Sequence, residues 1–116
     1  MIKSFRELKV WQRVIQLSTA VYRLTTSFPR EELYGLTNQL RRASVSVASN
    51  IAEGYGRGSR GEYKQFLAIA RGSNLELQTQ LVIARELQFV DGASIKGVED
   101  LSIEVGKMLT VLLKKL

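Results

Sequence analysis

An antiparallel up-down-up-down four-helix bundle, an all-α fold, is what this sequence predicts, and three observations predict it. Apolar residues recur at alternating steps of three and four in four separate stretches. A single proline interrupts the chain, and the joints between stretches are short and rich in glycine, serine and aspartate. Stripes of this 3.5-residue type pack helix on helix at a shallow angle, so four of them close around one core. Each helix alone is marginal in water, which leaves the shared core to decide the fold.

Val10, Val14, Leu17, Val21, Leu24 and Phe28 form the first seam and predict a helix over residues 6–27. Pro29 closes it, because the residue before a proline is pushed out of the helical region. Leu33, Leu36, Leu40, Ala43, Val47 and Ile51 form the second, over 31–54, and Gly54 and Gly56 end it. Ser59 with Glu62 three residues on is a capping box for a third helix over 60–89. Its expected seam is Tyr63, Phe66, Ala70, Ser73, Leu77, Leu81, Ala84 and Leu87, broken by Asp91-Gly92. The fourth takes Ile95, Val98, Leu101, Val105, Met108 and Leu112 over 92–115. With no internal repeat or linker, residues 1–116 are expected to form one domain, large enough to bury a core without metal or disulfide support.

Composition narrows the chemistry. The chain has no cysteine, which excludes thiol chemistry and a disulfide framework and suits the cytoplasm. It has no histidine, which removes the commonest general base and the commonest metal ligand together. No nucleophile–base pair stands out, so the expectation is a protein that is not an enzyme and uses no cofactor, no metal and no small-molecule substrate. The N-terminus lacks the apolar stretch of a signal peptide. No apolar run approaches the roughly 20 residues that span a bilayer, so no membrane partner is expected. Net charge is +6 and unevenly placed. Residues 1–72 hold 12 Lys/Arg against 5 Asp/Glu, and residues 73–116 hold 5 against 6. A basic N-terminal part fits a polyanion-facing surface, although a solvated surface carries such charge equally well.

Arg41 to Arg57, RRASVSVASNIAEGYGR, is the most informative stretch. Its small residues let a neighbouring backbone come close, and they set Asn50 and Glu53 at a crowded turn before a loop of glycines and arginines. Asn50, Glu53 and Glu76 admit an acid/base or metal reading, but a bundle metal site draws on Glu-x-x-His pairs, and no histidine is present. The reading favoured is a polar network fixing helix register, with Glu76 paired to Arg71 or Arg42. The loop Gly54–Gly61 lacks P-loop spacing, yet Arg57, Arg60 and Lys64 offer backbone-phosphate contacts. Arg6, Lys9, Arg13, Arg41 and Arg42, with Lys3, form a second basic group. Tyr55 and Tyr63 are the aromatics near the loop, so binding by charge and shape is expected, without sequence readout. Trp11, Ile15 and Tyr22 beside the first seam, and Leu67, Leu75 and Ile83 beside the third, widen the apolar stripes as an oligomer interface would.

The run RASVSVASNIAEGYGRGSRGEYKQFLAIARGSNLELQTQLVIARELQF resembles the four-helix-bundle proteins encoded by intervening sequences in bacterial 23S rRNA genes. The most specific parts are Asn50-Ile51-Ala52-Glu53-Gly54, Phe66-Leu67 with Ala70 and Ser73, and Glu76-Leu77; Phe5-Arg6-Glu7-Leu8 through Trp11 also looks like the family's start. The resemblance implies a homopentameric ring. It also implies a distant link to the accessory protein of diversity-generating retroelements, a basic pentamer that binds nucleic acid and partners a reverse transcriptase. The expectation is therefore a homo-oligomer, pentameric by resemblance, that binds RNA or DNA through its basic face. The alternative is a structural adaptor that docks a protein such as a reverse transcriptase.

Overall fold

Ser4 opens the first turn: its hydroxyl accepts the Arg6 amide, and Glu7 reaches back to the Ser4 amide. This capping box holds a short 3-10 turn, Phe5–Glu7. Leu8 then goes extended (ψ 124°) before helix α1, Lys9–Thr25, begins. The expected single helix from residue 6 is thus two pieces. Thr25 and Thr26 turn their hydroxyls onto the Val21 and Tyr22 carbonyls, and α1 ends ahead of Pro29. The computed structural model describes residues 2–116.

The second helix, α2, spans Leu36–Gly56 and not residues 31–54. Residues 30–32 form another 3-10 turn, and Gly35 takes a backbone conformation that cannot continue it into a helix. Leu33 therefore lies on the connection, 46% exposed, and leaves the core seam. Glu32 Oε1 accepts the Leu36 amide at 3.0 Å in place of an N-cap side chain. The turn into α3 (Arg60–Glu86) uses Gly58 at φ +86°, where a Cβ would be strained. Ser59 caps α3 by accepting the Glu62 amide at 3.2 Å.

α3 stops at Glu86, short of the expected residue 89. Gln88 sits at φ 58°, the Phe89 amide donates to Ala84 O and the Gln88 amide to Arg85 O. That pair of bonds is a Schellman cap, made here without glycine. Asp91 then caps α4, Gly92–Lys115, by accepting the Ser94 amide at 2.8 Å.

Each helix packs on its chain neighbours, and α1 closes the square against α4. The bundle measures 43 × 24 × 20 Å. α2 and α3 approach most closely because small residues face each other there, with Ser46 Oγ and Ser73 Oγ 2.9 Å apart. The expected seams hold on α3 at Ala70, Leu77, Leu81 and Ala84 and on α4 at Ile95, Val98 and Val105, and shift by one residue at Leu67, Asn74, Ser102 and Leu109. On α3 the buried positions are Leu67, Ala70, Asn74, Leu77, Leu81 and Ala84, and Leu87 is exposed. On α4 they are Ile95, Val98, Ser102, Val105 and Leu109. Both remain three-four patterns with a polar residue in the seam, Asn74 on α3 and Ser102 on α4, and Gln80 of α3 is buried beside its seam. Aromatic pairs plug the two ends: Phe28 edge-on to Phe89 at 5.4 Å, and Phe5 edge-on to Trp11 at 5.1 Å.

Candidate nucleic-acid interface

Alternating helix direction brings three segments distant in sequence to one end of the bundle: the start of α1, the α2–α3 turn and the finish of α4. The Tyr55 hydroxyl donates to Ile2 O at 3.0 Å, tying the first two together. Lys9 of α1 and Lys107 and Lys115 of α4 line a common groove, which ties in the third. This end therefore carries Lys3, Arg6 and Lys9, then Arg57, Arg60 and Lys64, then Lys107, Lys114 and Lys115, against Glu7, Glu53 and Glu62. The opposite end carries Arg23, Arg30, Arg41, Arg42, Arg85 and Lys96 against Glu31, Glu32, Glu86, Asp91, Glu99 and Asp100, and is balanced in charge. Charge is polarised along the bundle axis.

The carboxylates at the basic end are already engaged. Glu7 accepts backbone amides, and Glu53 and Glu62 flank Arg57 at 3.6 and 3.9 Å. The Arg57 guanidinium also lies over the Phe66 ring at 5.0 Å. Arg60 and Lys64 are exposed and belong to no ion pair among the described residues. Tyr55 stands edge-on to Tyr63 at 6.0 Å, and burial, then the neighbouring Tyr55, raises the Tyr63 hydroxyl above its usual range. Neither aromatic ring lies free as a platform for base stacking.

The eight basic residues singled out by sequence do not form one cluster. Arg6, Lys9, Arg57, Arg60 and Lys64 meet at the basic end. Arg13 lies along the α1–α4 seam, where its Nε and Nη2 donate to Glu104 at 2.8 Å each, and Glu104's hydrogen bonds and charge raise the guanidinium further. Arg41 and Arg42 belong to the other half of α2. Arg41 donates through Nε to Thr25 Oγ1 at 2.8 Å and lies over Tyr22 at 4.8 Å. The end of α4 was missed because its lysines sit in the near-neutral half of the sequence; only the chain's reversals bring them to the others.

The expected polar network is built from other residues. Asn50 donates to Ser46 O at 2.8 Å and to Ser46 Oγ at 3.1 Å, so its part of the α2–α3 seam is made with serines. Glu53 is exposed and pairs with Arg57. Arg71 and Glu76 are exposed on α3, and Glu76 meets Gln80 at 3.4 Å instead of an arginine. Arg71 instead lines the groove between α3 and α4. The buried network joins α3 to α4 through Asn74 and Ser102, with Gln78 at its edge. Gly106 leaves room for it: a Cβ there would come within 3.2 Å of Asn74 Nδ2. The signal lay in the sequence as two polar residues at three-four spacing within apolar seams.

Of the six expected interface residues, Leu67 is fully buried in the core and has no surface to offer a partner. Ile15, Tyr22, Leu75 and Ile83 are each between 40% and 56% exposed. Trp11 is half-buried and borders a groove of Phe5, Ile15, Val45, Ala48 and Ala52 between α1 and α2. A second apolar groove, lined by Leu75, Ile103 and Val111, runs between α3 and α4. Among the described residues, no helix is long and apolar enough to cross a membrane, and no three acidic residues gather as metal ligands would.

The model of the 23S rRNA-intervening sequence proteins matches residues 6–111. None of the curated proteins matches. Among solved structures, the chain is similar to a protein of unknown function from the S23 ribosomal protein family of Bacteroides thetaiotaomicron. The likeness has a TM-score of 0.81 at 18% identity, covering 90% of this chain and 98% of that one. At that identity it bears on the fold alone, and the fold is the bundle described above. The family match takes in the Asn50–Gly54 run, all but the last residues of α4 and the whole α2–α3 seam: this chain belongs to the 23S rRNA-intervening sequence protein family.

Proposed function

We propose that the chain is a non-catalytic, self-associating bundle that binds structured RNA, or nucleic acid more broadly, through its basic end. One observation carries the reading: nine Lys and Arg side chains from three segments share the end of the bundle that holds Glu7, Glu53 and Glu62. Phosphate contacts position a polyanion without reading its bases, and this end offers cations without free aromatic platforms. The grooves beside Trp11 and Leu75 support self-association, since a closed ring joins two different faces of one subunit. A pentamer is the assembly that the family resemblance implies. Repetition around a ring multiplies phosphate contacts on a single ligand.

Fluorescence anisotropy with a labelled fragment of 23S rRNA tests the proposal. Binding at low salt should weaken roughly a hundredfold over a fourfold rise in salt if about four phosphates are neutralised. Arg60→Glu with Lys64→Glu should abolish binding, while Arg85→Glu at the opposite end should not. No affinity at low salt, or affinity indifferent to salt, refutes it.

A further inference from the structure

At the opposite end, the joint between α1 and α2 borders an open pocket of about 300 Å³ that the basic end does not involve. Its polar lining includes Thr25, Thr37, Arg30 and Arg41, and its apolar wall is made by Phe28, Pro29 and Leu33. No carboxylate lines it, and Glu32 on the same turn is held on the Leu36 amide. Arg41 is fixed before any ligand arrives. Its Nε donates to Thr25 Oγ1 at 2.8 Å and its guanidinium rests on the Tyr22 ring, so Nη1 remains without a protein partner. Thr37 lines the same pocket and is itself 3% exposed. Thr37 also lies in the first turn of α2, whose unpaired amides carry the positive end of the helix dipole.

We propose that this pocket binds a phosphate monoester, with the phosphate between Arg30, Arg41 and the Thr37 hydroxyl and the organic group against Phe28, Pro29 and Leu33. Fixed guanidinium donors suit a phosphate better than a spherical anion, because their planar forks match its oxygens in pairs. The pocket is larger than inorganic phosphate alone needs, and the apolar wall accounts for the remainder. Arg30 is exposed and in no ion pair among the described residues, so it can swing to close the site.

Titrations followed by ¹⁵N–¹H correlation spectra decide the matter, with phenyl phosphate and inorganic phosphate as probes at matched ionic strength. Saturable shifts at Thr37 and the Arg41 Nε–H are expected, tighter for phenyl phosphate. Thr37→Val keeps the side-chain shape, and Arg30→Gln changes an exposed residue. Each should weaken binding about tenfold, the loss of one hydrogen bond to a charged group. If Thr37→Val does not fold, Arg30→Gln alone gives the answer. A short 5′-phosphorylated oligonucleotide compared with its 5′-hydroxyl form tells whether the ester is the end of a nucleic acid or a small metabolite. Shifts that fail to saturate, that centre on Arg60 and Lys64, or that keep their full affinity in Arg30→Gln overturn the proposal. RNA binding at the basic end stands or falls separately, since none of these residues belongs to it.

Discussion

Asn74 of α3 and Ser102 of α4 exchange two hydrogen bonds inside the apolar core: Asn74 Nδ2 donates to Ser102 O at 2.9 Å, and Ser102 Oγ donates to Asn74 Oδ1 at 2.8 Å. Both residues are fully buried. A slip of either helix by one seam position would place each polar group against leucine or valine, so the pair pins the register. Asn74→Ala should lower stability by about 1–3 kcal/mol by stranding the Ser102 hydroxyl. Adding Ser102→Ala should cost less than the two single losses combined, as residues that share a bond are not additive. Urea denaturation of the three variants checks this.

Gly54 is where α2 and α3 touch. A Cβ there would lie 2.6 Å from Phe66 Cβ and 3.3 Å from Tyr63 Cδ1. Gly54→Ala gains helix propensity of about 0.5–1 kcal/mol, yet overpacking a tight seam costs about 1–3 kcal/mol. The melting temperature should therefore fall. An unchanged or higher one would mean that the helices separate here at no cost.

The left-handed Gln88 invites the opposite change. Holding a side-chain-bearing residue at φ 58° costs roughly 1–2 kcal/mol, and glycine removes that strain. Gln88→Gly should raise the unfolding midpoint, tempered by the extra freedom that glycine gives the unfolded chain.

Asp91 provides a pH-dependent contribution of known sign. Hydrogen bonds from the Ser94 amide and hydroxyl hold its carboxyl below the usual range. The unfolded state binds the proton more readily, so the cap stabilises fully above the unfolded value of about 3.9 and loses its effect as pH falls through the lower folded value. Asp91→Asn keeps a capping side chain without the titration. Its stability relative to the wild type should rise on acidification below pH about 4, measured by urea midpoints.

Ile15→Glu and Leu75→Glu place a charge in each of the two exposed apolar grooves without touching the core. If those grooves join copies of the chain, each variant should run near the 13.0 kDa of one subunit in light scattering, with its helical spectrum intact. An assembly that tolerates both would place the interface elsewhere.

The bundle was legible because its information is periodic. Val10 through Phe28 and Leu36 through Ile51 sit in seams that any helix must bury. On α3 the expected seam holds at Ala70, Leu77, Leu81 and Ala84 but takes Phe66 and Ser73 where Leu67 and Asn74 are buried, because the smaller Ser73 suits a core better than a lone asparagine. The correct steps, Leu67, Ala70, Asn74, Leu77, carry a polar residue whose partner lies on another helix, and no local pattern names that partner. The basic end was legible by half. Lys3 to Lys9 and Arg57 to Lys64 stood in a basic part of the sequence, but Lys107, Lys114 and Lys115 join them through topology. Arg13 was misplaced for the same reason: Glu104, which neutralises it, lies far along the chain and across the bundle.

The axial polarity has a consequence for how subunits and ligand depend on each other. Any ring made by rotation about an axis along the bundles sets every copy the same way up, so all the lysine-rich ends crowd onto one rim and repel. Empty rings should then be weakest in dilute salt, where that repulsion is least screened, and a bound polyanion should act as the counterion that holds them shut. Assembly and occupancy become two readings of one equilibrium, with RNA tightening the ring and the ring, reciprocally, tightening on RNA.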